Sequence, residues 1–197
     1  MELPVAVTNE VAALARRYGS PRFVDALIDD HFDDPVRKPD RFGEVCMVIR
    51  RPNGKLLLAI KTFYPRGAYR LPTGGIHHGE GIHDALVREA HEETGLTLEV
   101  ERFLAHVRYR SRGRPGAGPL FHTFAFLLAE RGGTLGAIDT SEQIEDWREI
   151  GTTELPAVAD TLDDLRTNGT LDIGGSWQAW GRFRAVVHRA VHAALVG

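Results

Sequence analysis

A run of good helix formers from Ile82 to Thr94 stops at Gly95 and carries Glu89, Glu92 and Glu93 at i, i+3 and i+4. Glycine just past a helix takes the left-handed conformation that ends it. The spacing therefore predicts a helix over 82–94 with the three carboxylates on nearly one face. Like charges so placed destabilise a helix unless something neutralises them. A hard divalent cation with oxygen ligands does so, and Mg2+ is the usual one. Glu80 stands just ahead, close enough to join or buttress the cluster, and Arg88 on the flank can hold a carboxylate through a forked hydrogen bond. The preceding Leu71-Pro72-Thr73-Gly74-Gly75 cannot be regular helix, and its glycines let the backbone approach an ion or a phosphate closely.

Around this helix the pattern is mixed. Asn9 is a candidate cap for a short helix ending at Gly19, and Ser20 for a second with Pro21 at its first position, on which Phe23, Leu27 and Ile28 fall at helical spacing. Asp33 to Arg41 is polar, holds two prolines and reads as a linker. Glu44–Ile49 and Lys55–Ile60 read as strands joined by a Pro52-Asn53-Gly54 turn. Strands are expected again over Leu96–Arg110, Leu120–Glu130 and Ile144–Ile150, the first two joined by a loop through Pro115. A helix is expected over Thr153–Arg166, stopped by Asn168-Gly169. Ser176 caps a last helix whose Trp177, Trp180, Phe183, Val187 and Val191 form one apolar stripe. This order argues for an α/β (α+β) arrangement, a sheet covered by helices.

Composition excludes other classes. The 197 residues are 43% hydrophobic and 26% charged, which rules out a disordered chain or a fibre. Lys and Arg number 24 against 27 Asp and Glu, so bulk charge gives no reason to expect duplex nucleic acid. The lone Cys46 permits no internal disulfide and reads as a small core residue. The opening residues MELPVAVTNE lack a basic and apolar leader, and the longest uncharged stretch, Pro115 to Ala129, is too short and broken to cross a bilayer. The expectation is a soluble cytoplasmic protein without membrane partners.

Gly74, Glu80, Arg88, Glu89, Glu92, Glu93, Gly95 and Leu96 stand at the spacing of the Nudix box, and the segment resembles that family. Ala90 fills an aliphatic position with a small side chain, and Thr73 stands where many members carry another glycine. The resemblance implies a Nudix fold, a mixed sheet sandwiched between helices. It also implies hydrolysis of a nucleoside diphosphate linked to another group, with Mg2+ or Mn2+ as cofactor. Glu89, Glu92 and Glu93 carry over as metal ligands, with a carbonyl near Gly74 or Gly75, and Glu80 and Arg88 as partners of the cluster. The general base in this family is a box glutamate, here Glu92, or a glutamate from a later loop, here Glu142 or Glu145; Glu44 is a more distant third. The substrate is then an ADP-ribose-like compound or a nucleoside triphosphate. Two rivals are a nucleotide-sensing module without catalysis and an isoprenoid diphosphate isomerase, for which Cys46 is poorly placed.

The resemblance covers the box and, loosely, the flanking strand–turn–strand and Leu71-Pro72; the expected domain spans 42–170, with an N-terminal helical extension over 1–41 and a C-terminal amphipathic helix over 171–197. Tyr69 and Arg70 ahead of the box, and Arg108 and Arg110 in a row continued by Arg112 and Arg114, are candidate substrate contacts. Phe63 and Tyr64 are candidates for stacking or for the core. His77, His78 and His83 match no familiar zinc spacing and read as loop residues meeting substrate or solvent, and His188 and His192 as surface residues. The aromatic stripe of the last helix suggests packing onto the core or onto a second subunit in a homodimer.

Overall fold

The computed structural model describes residues 3–114, 116–166 and 173–197. The elements in chain order are α1 (Val5–Tyr18), β1 (Arg22–Ile28), β2 (Arg41–Arg50), β3 (Leu56–Lys61), β4 (Thr73–His77), α2 (Ile82–Thr94), β5 (Leu96–Ser111), β6 (Phe121–Gly133), β7 (Ile144–Ile150), α3 (Leu155–Asp163) and α4 (Trp177–Val196). The strands make one mixed sheet in the order β1-β5-β6-β2-β3-β7, and β4 pairs with β2 off that path. Central β2 shows why helices cover both faces. Val45, Met47 and Ile49 point to one side, Cys46 and Val48 to the other, and all are fully buried. A strand apolar on both faces needs cover on both. Leu14 of α1 and Ile82, Ala85 and Leu86 of α2 cover the first face, and α3 and α4 the second.

The sheet forks at β2. Its pairing with β3 is confined to Arg50 against Leu56, beside the turn in which Gly54 takes φ 81°. Its other end, Arg41 to Cys46, pairs with β4. Between the diverging β3 and β4 the sheet opens, and a cleft lined by Glu44, Lys61 and Gly74 runs through that opening.

Several expected elements stand as read: the β2–β3 hairpin, α2 with Gly95 in the left-handed region, and the Ser176 cap, whose side chain accepts from Ala179 N. Others are corrected. The first helix begins at Val5, so Asn9 lies inside it. The second expected helix is strand β1, parallel to β5 from Arg22–Ala105 to Ile28–Ser111. Phe23 and Leu27 suit a helix face and a strand face alike, and the long β5 supplies the ladder that decides. The expected linker at 33–41 is a turn that buries Val36 and lines the cleft with Asp34, Pro35 and Lys38. Helix α3 ends at Asp163; the expected stop at Asn168-Gly169, and Pro115 of the β5–β6 loop, lie outside the described residues. Trp177, Trp180 and Phe183 are buried in the core of the same chain, which removes the reason the stripe gave for a second subunit. No helix among the described residues is long and apolar enough to cross a membrane.

Candidate active site

Helix α2 is held at both ends. At its start Gly81 offers no side chain, and Glu10 of α1 accepts from His83 N at 3.1 Å instead, while Tyr18 Oη lies 3.2 Å from His83 Nε2. At its end Gly95 takes φ 66° and donates its N–H to the His91 carbonyl. This fixes the acidic face against the β4 loop. Arg88 organises that face. Its Nε and Nη2 donate to the two Glu80 oxygens at 2.7 and 2.9 Å, and its Nη1 donates to Glu89 and Glu92 at 2.8 and 3.0 Å. Nη2 also reaches the Gly75 carbonyl at 3.0 Å. The Glu80 hydrogen bonds, foremost, hold the guanidinium charged beyond its ordinary range.

Beneath this layer is a deeper one. The ligand oxygens of Glu89, Glu93 and Glu142 lie within 4.8 Å of one another. Glu93 is 1% exposed, and its Oε2 has no hydrogen-bond partner. Burial pushes its carboxyl up to about 8, against the pull of nearby Lys61 and Arg70. Burial likewise raises Glu89. Glu142 goes the other way: burial would raise it, but Lys61 Nζ, donating at 2.8 Å, overrides that and keeps it below the usual carboxylate value. Lys61 also lies 3.8 Å from Glu93 Oε1. A Cβ on Gly74 would fall 2.0 Å from the Glu89 carboxyl carbon, so any other residue there would push the Glu89 carboxylate out of its place.

An unpartnered buried carboxylate oxygen is costly, and three converging carboxylates repel. The donor set is all oxygen and becomes fully anionic once an ion displaces the Glu93 proton, which suits Mg2+ or Mn2+. Glu89 and Glu93 would hold such an ion, with Glu142 within reach of it and Glu92 at the cleft beside them.

The other candidates separate. Glu145 is exposed and faces a second groove, with Tyr69. Tyr69 is engaged there, its hydroxyl donating to Asp146 at 2.5 Å. Arg70 lines the cleft, but it is 4% exposed and donates to Tyr64 Oη, the Leu71 carbonyl and Thr73 Oγ1, the work of a buried brace. Arg108 and Arg110 lie away from the cleft lining, both bound to Asp25 of β1. His77 lines the cleft, whereas His78 bonds to the Pro39 carbonyl at 2.9 Å. His188 is no surface residue: it is fully buried, its Nε2 accepting from Leu71 N at 3.0 Å and its Nδ1 donating to the Arg184 carbonyl. Cys46 is buried, which pushes its thiol well above the ordinary value. Sequence reasoning missed Lys61, which the hairpin aims at the carboxylates, and Arg184, whose place depends on how α4 docks.

A family model described as the NUDIX domain matches residues 40–167. The NAD-capped RNA hydrolase NudC of Vibrio parahaemolyticus is 31% identical over 123 residues, 62% of this chain and 44% of that protein. The ADP-ribose pyrophosphatase of Methanocaldococcus jannaschii is 35% identical over 98 residues, 50% of this chain and 56% of that protein. The chain thus spans about half the length of each of these relatives. In fold it is similar to the solved C. elegans Ap4A hydrolase, with TM-score 0.50 at 20% identity, over 79% of this chain and 98% of that one. The family match runs through the forked sheet, the acidic helix and the turn that brings up Glu142, and the chain belongs to the NUDIX domain family.

Proposed function

We propose that the protein is a divalent-metal-dependent hydrolase that cleaves the diphosphate linkage of a nucleoside diphosphate derivative. The observation that carries this reading is the buried, unpartnered Glu93 oxygen facing Glu89 and Glu142. Such a pocket is incomplete without a cation. When bound, Mg2+ or Mn2+ supplies charge neutralisation at the phosphate oxygens and acidifies a water. The chain's own residues do the rest. Arg88 holds Glu80, Glu89 and Glu92 in one array and ties them to the β4 backbone. Glu142, kept ionised by Lys61, takes the proton of the attacking water as general base. Glu92, half-exposed at the rim, remains oriented by Arg88 and serves as an outer carboxylate. In-line attack at phosphorus then releases a phosphate ester.

The relatives named for ADP-ribose and for NAD-capped RNA share a nucleoside diphosphate linkage, and ADP-ribose-like compounds lead the substrate class, with nucleoside triphosphates second. The test is a panel of ADP-ribose, NAD and the nucleoside triphosphates, each incubated with Mg2+ and with Mn2+, and the products separated by ion-exchange chromatography. Metal-dependent release of a nucleoside monophosphate is expected from at least one. Nucleotide binding with no turnover in either metal would establish the sensing module instead.

A further inference from the structure

Glu142 reaches the buried carboxylates from neither a strand nor a long helix. It ends a short 3-10 turn, Thr140–Glu142, in the connection between β6 and β7, and no residue of 134–143 is buried. Apolar packing therefore does little to hold this carboxylate within hydrogen-bond reach of a water, as a general base must be held. Hydrogen bonds at the two ends of the connection do it instead. The first end hangs from the last turn of α2: Gly136 N–H donates to the Thr94 carbonyl at 2.9 Å, and the Ile138 and Asp139 N–H groups both donate to the Glu92 carbonyl, at 2.9 and 3.3 Å. A helix end leaves such carbonyls without partners of its own. The helix that bears Glu89 and Glu93 thus also bears the turn, which the Asp139 side chain starts by accepting from Ser141 N at 2.8 Å.

The second end is caught by β3. The Gln143 carbonyl accepts from Thr62 N at 2.9 Å, next to Lys61, whose Nζ donates to Glu142 at 2.8 Å. Between the two anchors Gln143 has φ 54° and ψ 34°, and among the described residues it alone, apart from glycines, has positive φ. That left-handed region is uncommon for any residue with a Cβ, and a β-branched one is a genuine outlier there. The Gln143 side chain is exposed at the rim of the cleft, so burial does not impose the conformation. Strain of this kind persists only where the surroundings over-determine it, and it gathers at functional sites. An extended Gln143 would swing the chain so that the Thr62 bond to its carbonyl and the Lys61 bond to Glu142 could not both form.

We propose that Gln143 is a positioning residue for the hydrolysis: its left-handed backbone, clamped between the carboxyl end of α2 and Thr62, aims Glu142 at the space beside Glu89 and Glu93. It acts through its φ angle and not through its side-chain amide. The proposal rests on the hydrolase reading above for the role of Glu142, and it adds what sets that carboxylate in place.

The experiment compares Gln143→Gly with Gln143→Val in the full chain. Glycine deletes the amide and takes positive φ freely, whereas the branched valine resists it. On the diphosphate that the substrate panel identifies, in Mg2+, kcat of Gln143→Val is expected about tenfold below that of Gln143→Gly, with KM within about twofold. Mn2+ affinity by electron paramagnetic resonance should agree between the two within about twofold, because Glu89 and Glu93 stay where they are. The readout that needs no turnover is hydrogen exchange at the Thr62 amide, whose protection should be about tenfold lower in Gln143→Val. Circular dichroism melting establishes that each variant is folded. Equal kcat in the two variants overturns the proposal, whether both keep activity or both lose it, the second result assigning the effect to the amide. Equal Thr62 protection overturns it as well. If Gln143→Val does not fold, Gln143→Ala takes its place, with about a fivefold difference from glycine expected and none overturning the proposal. Failure of the hydrolase reading shows separately, as absence of wild-type turnover across the panel, while Thr62 exchange still decides whether the φ angle of Gln143 holds the turn.

Discussion

Two regions of the molecule are rich in charge, and they are built on opposite plans. Along β1 and β5 the arginines find aspartates: Arg108 and Arg110 share Asp25, Arg112 pairs with Asp29, and Arg114 with Asp30. The Arg110 and Arg112 side chains stay about half-exposed or more, and each charge has its counter-charge. Around α2 the carboxylates outnumber the cations, two of them are buried, and Glu93 keeps an oxygen with no partner. The first arrangement is complete in itself, while the second needs something the chain does not supply. A run of charge is therefore not a sign of a binding site; burial without compensation is.

The sharpest way to break this contrast is at Glu93. Glu93→Gln keeps the shape and removes one anionic ligand, and kcat is expected to fall by about 10³-fold or more with the melting curve of the metal-free protein retained or raised. Turnover near the wild-type rate under saturating Mg2+ would show that the unpartnered oxygen holds nothing. The next test separates two glutamates the sequence leaves equivalent. Glu142→Gln should lower kcat by about 10²-fold, whereas the exposed Glu145→Gln should leave it within about twofold. Equal losses in steady-state assays would return the base to an open choice.

A third prediction concerns pH. Glu93 is held up to about 8 in the native chain against 4.5 as a model group, so between those values the metal-free native state binds one more proton than the unfolded one. Stability from this group is then lost as pH rises through that window. His188 opposes it, since burial lowers it from 6.5 to about 4 and its contribution grows as pH rises between those values. Above pH 6.5 only the Glu93 slope remains of the two. Metal-free protein should lose up to about 2 kcal/mol between pH 6.5 and 8, roughly 4–8 °C in Tm. Differential scanning calorimetry should find that slope abolished by Glu93→Gln and flattened by Mg2+. The smallest effect belongs to the balanced region. Arg110→Ala should cost at most about 1 kcal/mol in urea unfolding and change kcat/KM less than about twofold, because the pair is exposed and off the cleft. A large loss of activity there would erase the contrast.

What could be read in advance follows the same divide. The acidic helix, its glycine stop and the β2–β3 hairpin are local: period, turn residues and spacing lie within a few residues of each other, and they were legible. Glu142 was in view only as one of several candidates for the base, and its place beside Glu89 and Glu93 came from the structure. Long-range pairing was not legible. Nothing near Arg108 announces that Asp25, 83 residues upstream, will neutralise it. Phe23 and Leu27 fit a helix period, and only β5 alongside makes them a strand. The stripe on α4 announced burial correctly but not its destination, and His188 looked like a surface residue because its partner, the Leu71 amide, lies 117 residues away.

That docking of α4 has a consequence for how the chain is made. Arg184 meets Glu44 across 140 residues, and His188 meets Leu71 across 117. During synthesis β2, the hairpin and the acidic helix all emerge long before the segment that covers their second face. Until residues near Val191 have left the ribosome, the underside of the sheet, with Phe121, Leu127 and Val48, stands open to water. Contacts this distant in sequence slow folding, and the nascent chain passes through a stage that is half enclosed and prone to sticking. A chain ending within α4 would thus carry its set of carboxylates on a sheet with one face still uncovered.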